Sequence, residues 1–374
     1  MRSASILVVF ALTPVWVSLG QALTNPGYGS SFGTRLAEWT RLNGGGSIVS
    51  LGENLWYSHH QPPIGGRPAP GAIPAPPAKA APPVAHSALT LAAPAPVTPF
   101  ASPSISGEGD WHSVGRKVDG QTAIYETFMR PDAVHTSTVV GIAWMDTKLL
   151  RASLYSGSQI PGGGPYPLTA PVQPGAARTL VAAFNAGFLM SDANGGYYTG
   201  GHVIFPLRTG AGSFIIYRNG TATVGAWRGS SELTSNVVAV RQNLDLLVRN
   251  AHPVPGLQAN DTSKWGATLE NQIYVWRSGI GVTADGALVY VGGPGLNITS
   301  LAHLLVRVGA VTAIEFDINT DWVDFASFRP STANGLASAA NGTDLLSSMA
   351  SPGRYFASWW VRDFITMSAR NPRG

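Results

Sequence analysis

The residues 311–319 carry the side chains best suited to chemistry, in the sequence VTAIEFDIN. Side chains alternate between the two faces of an extended strand, so this segment places Glu315, Asp317 and Asn319 on one polar face, ~7 Å apart. Two neighbouring carboxylates can cleave a glycosidic bond, one as general acid/base or nucleophile and the other assisting. The ~7 Å spacing fits an inverting pair better than a retaining pair.

Four further residues could complete such a site. Asn185 follows an apolar run at the point where a strand ends in a tight turn, and Arg277 opens the segment Arg277-Ser278-Gly279-Ile280-Gly281. His202 follows a pair of glycines, and Trp322 could stack on a sugar face. Each of the first three also has a structural interpretation. Asn185 could cap a turn, Arg277 could be a surface charge, and His202 could be a hydrogen-bonded structural histidine.

The oxygen atoms of Glu315, Asp317 and Asn319 also form a set that could bind a divalent cation such as calcium. We otherwise expect no cofactor. The chain has no cysteine, which excludes disulfides, thiolate catalysis and cysteine-based metal sites. Its net charge of +4 comes without a cluster of Lys or Arg, so no nucleic-acid surface is expected.

The elements that must position these residues are mainly strands. The 374 residues include 44 glycines and 28 prolines, and only 12% are charged, which favours a strand-rich fold with many turns. Short apolar runs between turn residues predict strands at 139–146, 179–184, 213–217, 237–240, 244–248, 279–283, 287–291 and 311–319. Asp285 and Gly286 predict the turn of a hairpin between two of these strands.

One helix is indicated just before the polar strand. Leu301, Leu304, Leu305 and Val308 recur at helical spacing, with Gly309 as terminator and either Thr299 or Ser300 as N-cap. Together these patterns predict an α+β fold with a large mixed or antiparallel sheet and packed helices.

The chain divides into four parts by composition. Residues 1–24 form a signal peptide or a signal anchor, because an apolar stretch follows Arg2 and small residues precede position 23. Residues 25–60 predict a short helix–strand piece, with the strand near 47–51. Residues 61–106 are rich in Pro and Ala and predict a disordered linker. Residues 107–374 form the main domain.

This order of parts predicts an exported protein. It is either secreted or anchored at the outer face of the cytoplasmic membrane. The N-terminal segment is then the only part that contacts the membrane.

Several motifs of the main domain resemble the phosphodiester glycosidase family. They are Phe184-Asn185-Ala186-Gly187-Phe188, Arg277-Ser278-Gly279-Ile280-Gly281-Val282, the Asp285-Gly286 hairpin, Gly309-Ala310 after the helix, and the strand that ends in Asp317. The resemblance implies a functional amide at Asn185, a phosphate- or substrate-facing guanidinium at Arg277 and an active-site acid at Asp317. The chain departs from the family after Asp317, where Ile318-Asn319-Thr320 replaces glycines that would let a substrate approach the backbone.

Two functions remain open at this point. The chain could be a hydrolase-like protein that acts on a sugar phosphodiester or glycosidic bond of a cell-envelope or extracellular glycan. Alternatively, it could be a non-catalytic glycan-binding or wall-associated module that has kept the fold. Both hypotheses imply a carbohydrate or sugar-phosphate ligand.

Overall fold

The computed structural model describes residues 2–76, 90–258, 262–266, 274–332, 335–357 and 359–370. By its internal contacts the chain forms two compact units, Met1–Trp56 and Tyr57–Gly374. Among the described residues, none of the helices combines the length and apolar character needed to cross a membrane.

The first unit is helical. It contains α1 (Arg2–Thr24), α2 (Phe32–Thr40) and the first part of α3 (Gly46–His59). Ser31 caps α2, because its hydroxyl accepts a hydrogen bond from the backbone of Thr34 at 3.1 Å. The strand predicted near 47–51 is wrong. Gly44, at φ 87°, turns the chain without stopping it, and helix resumes at Gly46.

The second unit is built mainly from strands. The described chain has eighteen, numbered from the N-terminus: β1 (His112–Val114), β2 (Ile124–Met129), β3 (Val140–Met145), β4 (Leu150–Tyr155), β5 (Leu180–Asn185), β6 (Tyr197–Thr199), β7 (His202–Phe205), β8 (Gly212–Tyr217), β9 (Ala222–Ala226), β10 (Val237–Gln242), β11 (Leu246–Arg249), β12 (His252–Pro253), β13 (Val275–Thr283), β14 (Leu288–Leu296), β15 (Ala310–Glu315), β16 (Phe325–Phe328), β17 (Gly342–Asp344) and β18 (Phe364–Ala369). Three helices accompany them: α4 (Pro174–Ala177), α5 (Thr262–Trp265) and α6 (Ile298–Arg307).

The strands form three antiparallel sheets. The large sheet has the order β1-β2-β3-β14-β13-β15-β11-β12, the second sheet β7-β6-β10-β8-β9, and the third sheet β17-β16-β5-β18-β4. The α+β class predicted from the sequence is therefore confirmed. The predicted strands of the main domain are present with small shifts at their ends.

Two cores cover the two faces of the large sheet. On one face, Ile314 and Phe316 join side chains of the other two sheets, including Phe184 and Phe214. On the other face, α6 packs against residues such as Ala313. This division follows the alternation of side chains along each strand, which also separates residues 314 and 313 of β15.

The elements around α6 are close to those predicted, with two corrections. Asn297, and neither Thr299 nor Ser300, is the N-cap: its side chain accepts a hydrogen bond from the backbone of Ser300 at 2.7 Å, while the Ser300 hydroxyl accepts one from the backbone of Asn297 at 3.0 Å. Gly309, at φ 95°, follows the helix as predicted. The strand β15 ends at Glu315 and does not reach residue 319.

The prediction of a disordered linker is wrong for residues 90–106. Leu91 and Val97 are buried in the core beneath α6. The backbone of Leu91 donates a hydrogen bond to the Asp146 carboxylate at 2.8 Å, and Arg130 donates to the carbonyl oxygen of Pro103 at 2.7 Å. Proline-rich chain can dock when its free carbonyl groups find donors, which the composition alone did not reveal. The prediction is also wrong for residues 61–76, which contain no helix or strand but are docked: the backbone of Gly65 donates a hydrogen bond to the Val134 carbonyl oxygen at 2.7 Å, and Ile73 is buried. Residues 77–89 lie outside the described residues.

A buried carboxyl group lies between the large sheet and the third sheet. Glu126 of β2 is 4% exposed and accepts a hydrogen bond from Ser327 of β16. The pKa of Glu126 is raised from 4.5 to about 8, mainly by burial and to a smaller extent by the nearby Asp344 carboxylate. Burial likewise raises the pKa of Asp344 to about 7, with a further contribution from Asp324.

We predict that Glu126→Gln makes the fold less sensitive to alkaline pH. The folded protein keeps the Glu126 proton up to about pH 8, whereas the unfolded chain releases it near 4.5. Stability is therefore unaffected below pH 4.5 and falls as pH rises toward 8, by ~5 kcal/mol at most. Urea unfolding of the wild type and the variant across this range measures the difference. Identical pH dependence in both proteins would contradict the assignment.

Candidate functional site

The backbone pairing between β13 and β15 continues past the end of β15. The backbone of Phe316 donates a hydrogen bond to the Ser278 carbonyl oxygen at 2.8 Å, and that of Ser278 donates to the Asp317 carbonyl oxygen at 2.9 Å. These bonds fix Asp317 beside Ser278 at the point where the chain leaves the sheet.

The hydroxyl group of Ser278 joins two of the predicted site residues. It accepts a hydrogen bond from the Asn185 side-chain amide at 3.1 Å and one from the backbone N–H of Asp317 at 3.3 Å. Asn185 is the last residue of β5, and its Oδ1 accepts a hydrogen bond from the Tyr290 hydroxyl at 2.9 Å. The amide is thus held from two sides, and its orientation relative to Asp317 is fixed.

Two polar contacts of the Asp317 carboxylate differ in strength. Its Oδ1 accepts a hydrogen bond from the backbone of Ile318 at 2.8 Å. Its Oδ2 lies 3.8 Å from Nη1 of Arg362, which is an ion pair longer than a hydrogen bond.

Asp317 and Asn185 line one small pocket. Every residue that lines it is buried, and the set is Asn185, Gly187, Asp317, Trp322, Asp324, Arg354, Tyr355, Trp360, Arg362, Asp363 and Phe364. The pocket thus gathers three aspartates and two arginines from a chain in which only 12% of residues are charged.

Three buried ion pairs surround this pocket. Arg354 pairs with Asp324 at 2.6 Å, and Arg241 pairs with Asp363 at 2.7 Å. Burial raises the pKa of Asp324, although the Arg354 guanidinium opposes that shift. The pair of Arg362 with Asp317, at 3.8 Å, is the most widely separated of the three.

Two tryptophans and two arginines form a cover over the pocket, which we call the tryptophan cover (Trp322, Arg354, Trp360 and Arg362). The guanidinium of Arg362 lies 4.4 Å from the Trp322 ring centre, and that of Arg354 lies 4.1 Å from the Trp360 ring centre. The two indole rings are 5.3 Å apart. Cation–π contacts of this kind are strongest where water is excluded, so the cover stabilises the closed pocket.

Arg277 and Glu315 lie outside the pocket lining. Nη1 of Arg277 donates to Oε1 of Glu315 at 2.6 Å, and its Nε donates to the Leu296 carbonyl oxygen at 3.1 Å. Both side chains are almost fully buried. The pKa of Glu315 is raised to about 7. Burial is the main cause, Arg277 opposes the shift, and the nearby Asp317 adds to it.

Two other predicted residues are placed elsewhere. Asn319 accepts a hydrogen bond from the backbone of Asp321 at 2.9 Å and shapes the turn after Asp317. His202 is exposed on β7 of the second sheet, and neither residue lines the pocket. Among the described residues, no group of three or more His, Cys, Asp or Glu side chains is arranged to hold a metal ion.

The sequence analysis missed most of the charged residues of the pocket. Arg354, Arg362, Asp363 and Asp324 come from the last fifth of the chain, where no strand pattern drew attention to them. One signal was available: Arg362 and Asp363 interrupt the apolar run around Trp360. Charged residues inside an apolar run are usually paired in the fold.

The chain matches one protein family over part of its length and is similar to several solved structures. Residues 178–317 match the phosphodiester glycosidase family, which confirms the resemblance for that segment. The fold is similar to the catalytic domain of zebrafish N-acetylglucosamine-1-phosphodiester alpha-N-acetylglucosaminidase, auto-inhibited by its pro-peptide, with 14% identity and a TM-score of 0.41 over 70% of this chain and 88% of that one.

Two further solved structures are similar to the chain. One is a hypothetical protein from Synechocystis, with 12% identity and a TM-score of 0.37 over 69% of this chain and 64% of that one. The other is a protein from Burkholderia pseudomallei described as exported, with 12% identity and a TM-score of 0.34 over 62% of this chain and 74% of that one. No curated protein matches the sequence.

The pair of Arg277 and Glu315 gives a prediction about stability. Glu315→Leu leaves a buried guanidinium that cannot lose its proton, so we expect a loss of ~3–5 kcal/mol. Arg277→Met should cost less below pH 7, because Glu315, whose pKa is already raised to about 7, can take up a proton. Urea unfolding of the two variants below and above pH 7 tests this order of stability. The double variant Arg277→Met, Glu315→Leu is the control and should be more stable than Glu315→Leu alone. If Glu315→Leu were more stable than the double variant, the pairing would be contradicted.

Proposed function

We propose that the chain is an exported phosphodiester glycosidase that cleaves the bond between a sugar and a phosphate in an envelope or extracellular glycan. The observation that carries this proposal is the pocket in which Asp317, Asn185 and Arg362 meet. The family match of the segment that contains the first two residues supports it. Export is supported by the apolar N-terminal segment of the sequence.

Arg362 takes the phosphate-binding role in this proposal. The resemblance implied that role for Arg277, but the Arg277 guanidinium donates to Glu315 and to a backbone carbonyl group away from the pocket. Arg362 lines the pocket, and its ion pair with Asp317 is long at 3.8 Å. A phosphate can draw this guanidinium away from Asp317 at a smaller loss than it could break the 2.6 Å pair of Arg354.

Asp317 acts on the sugar carbon in this proposal. As general base, its carboxylate takes a proton from a water molecule while the water oxygen bonds to the anomeric carbon. The bond from that carbon to the phosphate oxygen breaks, and its electron pair leaves with the phosphate. A phosphate leaves as a stable anion, so stabilisation of its charge by Arg362 matters more than protonation by a second acid. The amide of Asn185, oriented by Ser278 and Tyr290, positions the water or a sugar hydroxyl.

The pocket also favours a second candidate function. All of its lining residues are buried, and Trp322 of the tryptophan cover follows the segment in which the chain departs from the family's glycines. A module that binds a glycan on its surface without cleaving it would have no need for an open pocket. The non-catalytic interpretation of the sequence therefore remains the alternative.

Turnover measurements on two substrate classes test the catalytic proposal. With sugar phosphodiesters, Asp317→Asn should lower kcat by about 100-fold or more, because the general base is lost. Arg362→Gln should lower kcat/KM by about 10-fold or more on phosphodiesters, where a charge-assisted hydrogen bond to phosphate is lost. On aryl glycosides, which have no phosphate, Arg362→Gln should have little effect. The exposed Asp192→Asn is the matched control. Equal turnover by the wild type and Asp317→Asn would contradict the mechanism.

Binding to purified cell-wall polysaccharide tests the alternative. If the chain is a non-catalytic module, the wild type should sediment with the polysaccharide and release no product. Asp317→Asn should then bind equally well, because a surface site does not need the buried carboxylate. Release of soluble sugar or phosphate by the wild type and its absence with Asp317→Asn would exclude this alternative.

A further inference from the structure

The helical unit Met1–Trp56 carries an unusual share of the exposed apolar surface. Of the fourteen large apolar side chains that are exposed in the described chain, nine lie in this unit: Val15, Trp16, Val17, Phe32, Leu36, Ile48, Leu51, Leu55 and Trp56. We call them the outer apolar surface. Such a concentration of exposed large apolar side chains in 56 residues is typical of a surface that binds a partner or a membrane.

Helix α3 shows the arrangement most clearly. Leu51, Leu55 and Trp56 follow Ile48 by three, seven and eight residues, so the four side chains lie along one face. Their exposed fractions are 55%, 51%, 60% and 74% for Leu51, Leu55, Trp56 and Ile48. This apolar face of α3 is therefore exposed.

Several polar groups of the unit form contacts within and between its helices. Glu38 of α2 has no exposed area, and Arg41 lies 3.9 Å from its carboxylate. Arg41 also pairs with Glu53 of α3. The Trp39 indole donates a hydrogen bond to the Ser18 hydroxyl of α1 at 3.0 Å. These contacts join the helices, while the nine large apolar side chains remain exposed.

We propose that the outer apolar surface binds a lipid bilayer. Nine exposed large apolar side chains are unfavourable in water and favourable in lipid. They lie on α1, α2 and α3, and α1 contains the apolar segment that the sequence predicts as a membrane segment. A bilayer that takes up this segment of α1 is therefore the occupant of the outer apolar surface, and α2 and α3 extend its membrane contact.

A single fluorescent label on the full-length protein tests the proposal. The chain has no cysteine, so Leu51→Cys provides a unique attachment site for an environment-sensitive fluorophore. Val203→Cys is the matched control, because Val203 is also an exposed apolar residue but lies on the second sheet. Both proteins are mixed with vesicles of phosphatidylethanolamine and phosphatidylglycerol that contain brominated phosphatidylcholine, which quenches fluorescence from within the bilayer.

The label at Leu51→Cys should shift to shorter wavelength and lose most of its emission, whereas the label at Val203→Cys should not change. If the protein floats with the vesicles but the Leu51→Cys label is not quenched, α1 alone binds and the proposal fails. No binding to vesicles also overturns it. The proposal is also overturned if the wild type sediments as a dimer without lipid and the double variant Leu51→Gln, Leu55→Gln sediments as a monomer, because a second copy would then cover the surface.

The same double variant provides a second measurement. Both side chains are exposed, so the variant should keep the circular dichroism and thermal unfolding of the wild type. Its vesicle binding should fall at least about tenfold, because two apolar side chains no longer enter the bilayer. A folded variant that binds vesicles as strongly as the wild type would overturn the proposal.

Discussion

The pairing of Ser278 with residues 316 and 317 is the contact on which the site depends. Two backbone hydrogen bonds hold the Asp317 backbone against β13, and the Ser278 hydroxyl then joins it to Asn185 on a different sheet. One small side chain therefore links Asp317, next to the large sheet, to the third sheet. A shift of one residue in this register would turn Asp317 to the opposite face and would separate it from Asn185.

Buried charge shapes the region around this contact. Arginine guanidiniums cannot be neutralised in the fold, so each needs a carboxylate or carbonyl partner when it leaves water. Arg354, Arg241 and Arg277 have such partners within 2.7 Å. These three pairs are short, whereas the pair of Arg362 with Asp317 is longer, at 3.8 Å.

The sequence predicted the fold class and eight of the eighteen strands of the described chain, because short apolar runs alternate with glycine turns. It also predicted Asn185, Asp317 and Trp322, which line one pocket. It failed where partners are distant in sequence. Glu315 and Asp317 share a face only in a continuous strand, and the strand ends at Glu315, which turns to Arg277. Arg362 approaches Asp317 across 45 residues, and no local pattern predicts such an encounter. The docking of 90–106 depends on Asp146 and Arg130, which are equally remote.

The tryptophan cover has a kinetic consequence. With Trp322 and Trp360 in contact and every lining residue buried, a ligand can reach Asp317 only in molecules whose cover has opened. Apparent affinity is then the intrinsic affinity reduced by the fraction of open molecules. A small soluble sugar must wait for that opening. A long polymer that contacts the surface around the cover can hold it open, so selection between ligands can occur before any of them meets the carboxylate.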